Sequence, residues 1–402
     1  MQAINQSKLL QQTHYELRGK ISSMANQLIQ QKHSILKLHL GNPAIFNLDA
    51  PTELLEAVSS NLKLSQGYCD SKGLINAREA IVQYNLKQNI QDCHPDRTYI
   101  GSGASELINF SLAALLNPGD EVLLPQPVYP LWSAVTTWHG GVIRFYQCDE
   151  NNDWQPNIQY LKKQITANTK AIVVINPNNP TGSVYPKKTL QAIAEIAQQH
   201  QLVIFSDEIY ANIVQPDTSF TPMANITQDA LVITFSGLSK NYLLAGFRCA
   251  WMTATGATKH ADDYLNGIEK CLTMRLCANV PVQHAIPIAL SDSRFSLTRQ
   301  YPGMTEKHTK VIQRLNAIEG LHCNMLSGAF YAYPKWDKSL VNWEHDEDWV
   351  LDFLQQHHIL IAPGSTFCQP DQQHFRLVLL AELNQLLNTC DRLEEFIKVR
   401  QK

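Results

Sequence analysis

The sequence predicts an α/β protein in which a large domain holds a mostly parallel, seven-stranded sheet and a smaller domain is α+β. Three observations lead to this prediction. The chain has 402 residues, enough for two or three domains. Its composition is that of a globular protein, with 44% hydrophobic and 17% charged residues. Between residues 98 and 251, short apolar runs alternate with helix-length segments, which is typical of a parallel sheet covered by helices.

Seven apolar runs are the predicted strands of that sheet. They are residues 99–100, 121–124, 142–146, 171–175, 202–206, 231–235 and 249–252. Between them, residues 105–116 and 189–200 place apolar side chains on one helical face and predict helices. We therefore assign residues 51–289 to the large domain.

The two ends of the chain are expected to form the smaller domain. Predicted helices cover residues 19–33 and 302–318 and a closing segment, and predicted strands cover residues 323–334, 359–362 and 375–379. In this assignment, residues 1–50 are an N-terminal arm and part of the small domain, and residues 290–402 are its C-terminal part.

Charge and composition exclude several classes of partner. The formal net charge is -3, so neither nucleic acid nor an anionic membrane is an expected partner. No apolar run approaches the ~20 residues of a membrane helix, and residues 1–31 lack a secretory signal pattern. The nine cysteines include no C-x-x-C pair, which speaks against a disulfide framework or a metal site. We expect a cytoplasmic protein that binds small molecules and no metal.

Several segments that contain candidate catalytic or ligand-binding residues each follow a predicted strand. Lys240 ends the turn SGLSK, where small residues let an aldehyde cofactor approach and form a Schiff base with the lysine. Asp207 follows a buried strand at the sheet edge where ligands bind in α/β proteins. Residues 101–105, GSGAS, offer free N–H groups for a phosphate, and residues 175–182 form a rigid Asn-Pro loop. Each has an ordinary alternative, such as a solvated loop lysine or a helix N-cap.

In their order along the chain, and together with the aromatic segment 125–132, these motifs resemble the class I and II aminotransferases, which are fold-type I enzymes dependent on pyridoxal 5′-phosphate (PLP). The resemblance covers nearly the whole chain and implies PLP as cofactor. It implies that Lys240 binds PLP covalently and then moves a proton between substrate and cofactor. Asp207 would pair with the ring nitrogen, and Tyr210 and Asn179 would hydrogen-bond the phenolic oxygen. Lys240, Asp207 and Tyr210 are the catalytic candidates.

The resemblance also implies a phosphate site and a ring-stacking residue. The phosphate would be bound by Arg248, Ser239 and the N–H groups of Gly103, Ala104 and Ser105, with Ser236 a weaker candidate. Tyr129 would stack on the PLP ring. Tyr68 would reach the phosphate of the neighbouring subunit, so that a homodimer with shared active sites is expected; an ordinary surface tyrosine is the alternative for Tyr68.

For the substrate, the resemblance places Arg376 as the fork for the α-carboxylate, aided by Asn179 and Gly41; a strand-edge salt bridge is the alternative for Arg376. Tyr15 and Arg18 lie in an arm expected to shape the side-chain pocket. Arg18 is one candidate for the distal carboxylate of glutamate and Arg275 is the other, with an interface ion pair as the alternative for both. We also expect cis peptide bonds at Asn179–Pro180 and Gln126–Pro127.

The longer matching segments, residues 15–20, 66–74, 175–182 and 274–281, resemble bacterial glutamate-pyruvate (alanine) aminotransferases. This implies the reaction of L-alanine with 2-oxoglutarate to give pyruvate and L-glutamate, a step of amino-acid biosynthesis in which the enzyme alternates between PLP and pyridoxamine phosphate. Aminotransferases for aspartate, aromatic or branched-chain amino acids, and a PLP lyase on the same fold, remain alternatives. A PLP-binding regulator is a further one, although no DNA-binding segment is evident.

Overall fold

The computed structural model describes residues 3–15, 19–339 and 343–399. Across these ranges every helix is too short or too polar to cross a membrane. All nine cysteines are free thiols.

The strands, labelled β1 to β15 in chain order, vary from two to eight residues. They are β1 Leu36–Lys37, β2 Thr98–Gly101, β3 Glu121–Gln126, β4 Val142–Asp149, β5 Gln155–Pro156, β6 Thr169–Ile175, β7 Val203–Asp207, β8 Leu231–Gly237, β9 Ala250–Gly256, β10 Leu321–His322, β11 Tyr331–Ala332, β12 Lys335–Trp336, β13 Ile359–Leu360, β14 Ala362–Pro363 and β15 Phe375–Val378.

The helices carry the labels α1 to α15. They are α1 Lys8–Gln12, α2 Lys20–Gln30, α3 Thr52–Ser59, α4 Ile75–Lys87, α5 Ala104–Leu115, α6 Pro130–Trp138, α7 Ile158–Gln164, α8 Lys187–Gln199, α9 Asp262–Met274, α10 Val280–Gln283, α11 Ala285–Ser291, α12 Leu297–Gln300, α13 Met304–Asn316, α14 Asp346–His357 and α15 Leu383–Lys398. The predicted periodicity is confirmed in α8, where Leu190, Ile193 and Ala197 are buried on one face.

The main sheet has the strand order β2-β9-β8-β7-β6-β3-β4-β5. The central pairs, from β4 across β3, β6 and β7 to β8, are parallel, whereas β9 runs antiparallel to both of its neighbours. All seven predicted strands are confirmed. The eighth strand, β5, was not predicted, because its two residues at the sheet edge carry no periodic signal.

The main sheet positions the polar residues that follow its central strands. Asp207, the last residue of β7, pairs in register with Ile175 at the end of β6 and with Phe235 near the end of β8. Because these strands are parallel, their carboxyl ends meet at one edge of the sheet. The segments that begin at Asn176, Glu208 and Leu238 therefore leave the sheet side by side.

The remaining strands form small sheets around a separate hydrophobic core that includes α13, α14 and α15. Strand β15 lies between β11 and β14 and carries Arg376. The predicted strand over residues 323–334 is wrong for most of its length, and only Tyr331–Ala332 is extended within the small sheet. The interruption follows from Ala329, whose left-handed backbone (φ 56°) breaks the extended run. The domain boundaries at residues 50 and 289 stay a prediction.

Candidate active site

A pocket lies where the carboxyl ends of β6, β7 and β8 face the small sheets. Eleven of the residues that the sequence predicted for the site line it: Gly41, Ala104, Ser105, Tyr129, Asn179, Asp207, Tyr210, Ser239, Lys240, Arg248 and Arg376. They come from segments far apart in the chain, and the sheet edge brings them together.

Lys240 lies on the tight turn that follows β8. Its Nζ donates a hydrogen bond to the carbonyl oxygen of Gly41 at 2.6 Å. Burial, with the nearby positive charges of Arg376 and Arg248, lowers the pKa of Lys240 to about 8, and Asp207 opposes this shift. A lysine in this environment is partly neutral near physiological pH, which a nucleophilic amine requires.

Asp207 places a carboxylate at the floor of the pocket. It is 5% exposed and accepts hydrogen bonds from Trp132 Nε1 at 3.2 Å and from the Ile209 N–H at 3.4 Å. Burial raises the pKa of Asp207 to about 6. Sequence reasoning gave Trp132 no role of its own, although it stands in the aromatic segment 125–132 and fixes the orientation of this carboxylate.

The corner of the pocket predicted for the phosphate combines Arg248 with the start of α5. A Cβ atom at Gly103 would collide with the Arg248 guanidinium, and the φ of 86° at Gly103 also favours glycine. Ala104 and Ser105 are the first residues of α5, and the N–H groups at these two positions lack intrahelical acceptors. This is a site for an anion.

Two predicted phosphate ligands have surroundings that the sequence did not predict. The N–H of Gly103 is not free, because it donates to the Gly101 carbonyl at 2.8 Å within the tight turn. Ser236 lines a separate cavity with Thr234 and Asn241, because side chains alternate between the faces of β8.

Arg376 forms the opposite wall of the pocket. Its Nη1 donates to Asn179 Oδ1 at 2.7 Å, and its Nη2 donates to the carbonyl of His39. The guanidinium is stacked between the rings of Tyr331 and Phe367, at 4.4 and 4.5 Å from their centroids. Its Nε is buried and without a partner in the part of the chain that the structure describes. No carboxylate of the described residues pairs with it, which speaks against the strand-edge salt bridge.

Three tyrosines, Tyr129, Tyr210 and Tyr331, line the pocket. The hydroxyls of Tyr210 and Tyr331 are 2.7 Å apart. Burial, followed by the charge interaction and the hydrogen bond with Tyr15, raises the pKa of Tyr129. Tyr15 from the N-terminal arm therefore reaches the pocket wall. Tyr331 was missed by sequence reasoning; its only signal was its place in a predicted strand.

Two other predicted residues do not line this pocket. Tyr68 is 81% exposed and is not among the residues that line it. Arg275 donates to the carbonyls of Ser71 and Ile100 and pairs with Glu106 at 3.7 Å. Arg18 lies outside the described residues.

The predicted cis peptide bonds at Asn179–Pro180 and Gln126–Pro127 are confirmed, and Asn176–Pro177 is a third cis bond that was not predicted. They shape the loops beside Asn179 and Tyr129 that line the pocket.

Comparison with known proteins gives a consistent result. Residues 34–393 match the family model of aminotransferase class I and II. The glutamate-pyruvate aminotransferase AlaA of Escherichia coli is 43% identical over 399 residues, which cover 99% of this chain and 98% of AlaA. The solved structure of an aminotransferase from Escherichia coli superposes with a TM-score of 0.96 at 42% identity, with full coverage of both chains. An alanine aminotransferase from Pyrococcus furiosus gives a TM-score of 0.94 at 34% identity, covering 98% of this chain and all of the other.

Proposed function

The chain belongs to the class I and II aminotransferase family, and from this premise we propose that it is a PLP-dependent alanine aminotransferase that converts L-alanine and 2-oxoglutarate to pyruvate and L-glutamate. The single observation that carries the proposal is the convergence of Lys240, Asp207 and Arg376 in one pocket. The names of the relatives, a glutamate-pyruvate aminotransferase and an alanine aminotransferase, support the choice of substrates.

The pocket fits PLP at both ends of the cofactor. Arg248 and the first turn of α5 supply positive charge and N–H groups for a phosphate, and Ser239 lines the same corner. At the other end, the buried Asp207 carboxylate faces no Lys or Arg at ion-pair distance among the described residues. A protonated ring nitrogen would supply the missing positive charge and stabilise the ionised carboxylate.

Bound PLP supplies an aldehyde for an amine and a conjugated ring that accepts electrons from the substrate α-carbon. The role proposed for Lys240 Nζ is to bind the cofactor and then to move a proton at the α-carbon once the substrate amine has replaced it. Its pKa of about 8 keeps the amine available as a base near neutral pH. The Gly41 carbonyl orients the amine through the 2.6 Å hydrogen bond.

Arg376 is proposed to bind the α-carboxylate that alanine and 2-oxoglutarate share. Asn179 and the His39 carbonyl hold its two Nη atoms, and the two flanking rings fix the plane of the guanidinium. A planar fork in a fixed orientation suits a carboxylate, and the unpartnered Nε is a buried donor that a ligand would satisfy.

Alanine needs only a small apolar space beside this fork, whereas glutamate brings a second carboxylate. Tyr15, hydrogen-bonded to Tyr129, supports a role of the N-terminal arm in shaping this part of the pocket. We propose Arg18 from the same arm for the distal carboxylate, since Arg275 already pairs with Glu106.

The proposed assembly is a homodimer with shared active sites. Tyr68 supports it, because this aromatic side chain is 81% exposed, and Leu62 and Leu64, a few residues earlier in the chain, are exposed as well. Large exposed apolar side chains are common at protein interfaces. A second copy of the chain would bring its Tyr68 to the phosphate corner.

The proposed location is the cytoplasm, where thiols stay reduced. The chain offers nine thiols, of which four are buried in the fold. This supports a reducing compartment, although the reaction itself does not depend on it.

Pyruvate production by the holoenzyme tests the proposed reaction. The expected result is pyruvate formed from L-alanine only when 2-oxoglutarate is present, in a one-to-one ratio with glutamate. Turnover of aspartate, aromatic or branched-chain amino acids instead of alanine would show that the enzyme is an aminotransferase for a different substrate. Release of pyruvate from cysteine-type substrates without an oxo acid would indicate a lyase and contradict the proposal.

A further inference from the structure

Tyr331 occupies the junction between the two halves of the pocket. It lies on β11, which pairs with β15, the strand that carries Arg376. Its side chain is buried and lines the pocket, and a side chain at Gly41 would collide with its hydroxyl. Tyr331 is therefore held from the sheet side, from Gly41 and from Arg376.

The ring and the hydroxyl of Tyr331 contact different functional groups. The ring lies 4.4 Å from the Arg376 Cζ, a cation–π distance. The hydroxyl lies 2.7 Å from the hydroxyl of Tyr210, and either oxygen is able to donate. One side chain thus contacts the proposed carboxylate fork and the proposed partner of the phenolic oxygen of PLP.

We propose that Tyr331 is a positioning residue with two separable effects: its ring holds the Arg376 guanidinium for the substrate carboxylate, and its hydroxyl donates to Tyr210 so that the Tyr210 proton points at the phenolic oxygen of the cofactor. This inference rests on the proposed function. A phenolic oxyanion only accepts hydrogen bonds, so the arrangement that serves it has Tyr331 donating to Tyr210 and Tyr210 donating onward. Aligned hydrogen bonds strengthen one another.

Tyr331→Phe tests the hydroxyl effect alone, because it keeps the ring. A hydrogen bond donated to the phenolic oxygen stabilises its anionic form, so weakening this bond raises the pH at which the visible absorbance band of the holoenzyme changes. Direct loss of the donor in Tyr210→Phe is expected to raise that midpoint by about 1–2 pH units. Tyr331→Phe is expected to raise the midpoint by only about 0.3 units, because it weakens the hydrogen bond donated by Tyr210 by a fraction of its strength instead of removing it.

The double variant Tyr210→Phe/Tyr331→Phe decides whether the two hydroxyls act as a chain. With Tyr210 already removed, the Tyr331 substitution should add no further shift. Arg376, which acts on both hydroxyls, and Tyr129, which acts on Tyr210, are the same in all variants. So are the other charged residues that line the pocket, Asp207, Lys240 and Arg248. Tyr333→Phe is the matched control, since Tyr333 is an equally buried tyrosine that stacks on His374 outside the pocket.

Tyr331→Met tests the ring effect, because methionine fills much of the volume without a π-face. Its expected result is a KM for L-alanine raised about 3- to 10-fold, whereas Tyr331→Phe leaves KM within about 2-fold. The test of the hydroxyl effect needs only Tyr331→Phe, so it does not depend on whether Tyr331→Met is stable enough to purify.

The proposal would be overturned if the pH midpoint of the absorbance change in Tyr331→Phe equalled that of wild type. It would also be overturned if Tyr331→Phe shifted the midpoint as much in the Tyr210→Phe background as in wild type. A wild-type protein that acquires no visible band with PLP would instead overturn the proposed function, so the two failures are distinguishable.

Discussion

Two clusters of charged residues lie close to β15, one around His374 just before the strand and one around Arg376 within it, and they are built in opposite ways. The first, which we term the ion cluster, consists of Glu150, Lys335, Asp371 and His374. The His374 nitrogens contact Asp371 at 3.0 Å and Glu150 at 3.3 Å. Lys335 Nζ contacts the same two carboxylates at 3.3 and 3.0 Å. Each charge in the ion cluster has a partner of opposite sign.

The second cluster is the pocket around Arg376. Within the described residues, Asp207 forms no ion pair and the Arg376 Nε has no acceptor. Lys240 donates only to a neutral carbonyl. Among the residues that the structure describes, the pocket therefore holds buried charged groups without an ion-pair partner.

The difference in charge pairing assigns a structural role to the ion cluster and a ligand-binding role to the pocket. Paired charges satisfy each other and connect the edge of the main sheet to the small sheets, whereas unpaired buried charges destabilise the ligand-free protein and gain their partners from a ligand. If this comparison is right, substitutions in the pocket should affect binding and turnover, and substitutions in the ion cluster should affect folding.

The largest effect is expected at Lys240. Lys240→Ala removes both the amine that binds the cofactor and the base, so kcat should fall by at least about 10³-fold. Turnover of alanine with 2-oxoglutarate measures it. Lys188→Ala, at an exposed lysine of α8, is the control and should keep wild-type activity. Substantial turnover by Lys240→Ala would contradict the assignment.

Arg376→Lys comes next, because a lysine is a point donor in place of a planar fork. We expect kcat/KM for L-alanine to fall about 100-fold, with most of the loss in KM. Steady-state kinetics of the purified variant measure both constants. Arg392→Lys, at an exposed arginine of α15, is the matched control. An unchanged KM would show that another group binds the α-carboxylate.

Asp207→Asn is expected to stabilise the cofactor-free protein while it impairs turnover. The pKa of Asp207 is raised to about 6 by burial, so its favourable contribution is present below about pH 4 and lost as the pH rises through 6. At pH 8 the ionised carboxylate costs about 2–3 kcal/mol that Asn avoids. Urea unfolding at pH 4 and pH 8 measures the difference. An equal change in the free energy of unfolding at both pH values would show that ionisation of the buried carboxylate is not the cause.

Asp371→Asn should have the smallest effect on catalysis and the opposite effect on stability. We expect a loss of about 1–3 kcal/mol in the free energy of unfolding near pH 5.5, with kcat/KM within about 2-fold of wild type. Denaturant unfolding and kinetics on the same preparation measure both. A large kinetic defect without destabilisation would break the comparison between the clusters.

The pH dependence of that loss has a defined sign. Despite burial, His374 holds the pKa of Asp371 below its usual range, and Asp371 and Glu150 raise the pKa of His374. The carboxylate contribution is lost as the pH falls through the lowered pKa, and the His374 contribution is lost as the pH rises through the raised one. The difference between wild type and Asp371→Asn should therefore be largest between about pH 4 and 6.5.

The sequence predicted the pocket far better than the ion cluster, for a physical reason. Lys240, Asp207 and Asn179 stand in short motifs directly after strands, and parallel strands bring such motifs to one edge. Glu150, Lys335 and Asp371 have no such spacing, and only the folded chain joins them. The same holds for Tyr331 and Trp132, whose importance comes from contacts with Tyr210 and Asp207 rather than from a motif.

Strand prediction shows the same limit. The buried runs of the main sheet were identified because continuous apolar sequence is typical of a sheet covered on both faces. The predicted strand over residues 323–334 was wrong for most of its length, because the left-handed Ala329 ends any extended conformation just before the aromatic residues that form β11. The sequence gives no signal that a single residue such as alanine adopts a left-handed backbone conformation.

The visible absorbance spectrum of the purified protein after addition of PLP tests most directly whether the unpaired charges of the pocket form a cofactor site. The account predicts a visible band with one PLP per chain, absent in Lys240→Ala, that L-alanine bleaches and pyruvate restores. A wild-type protein without the band, or a Lys240→Ala variant with an unchanged band, would contradict it.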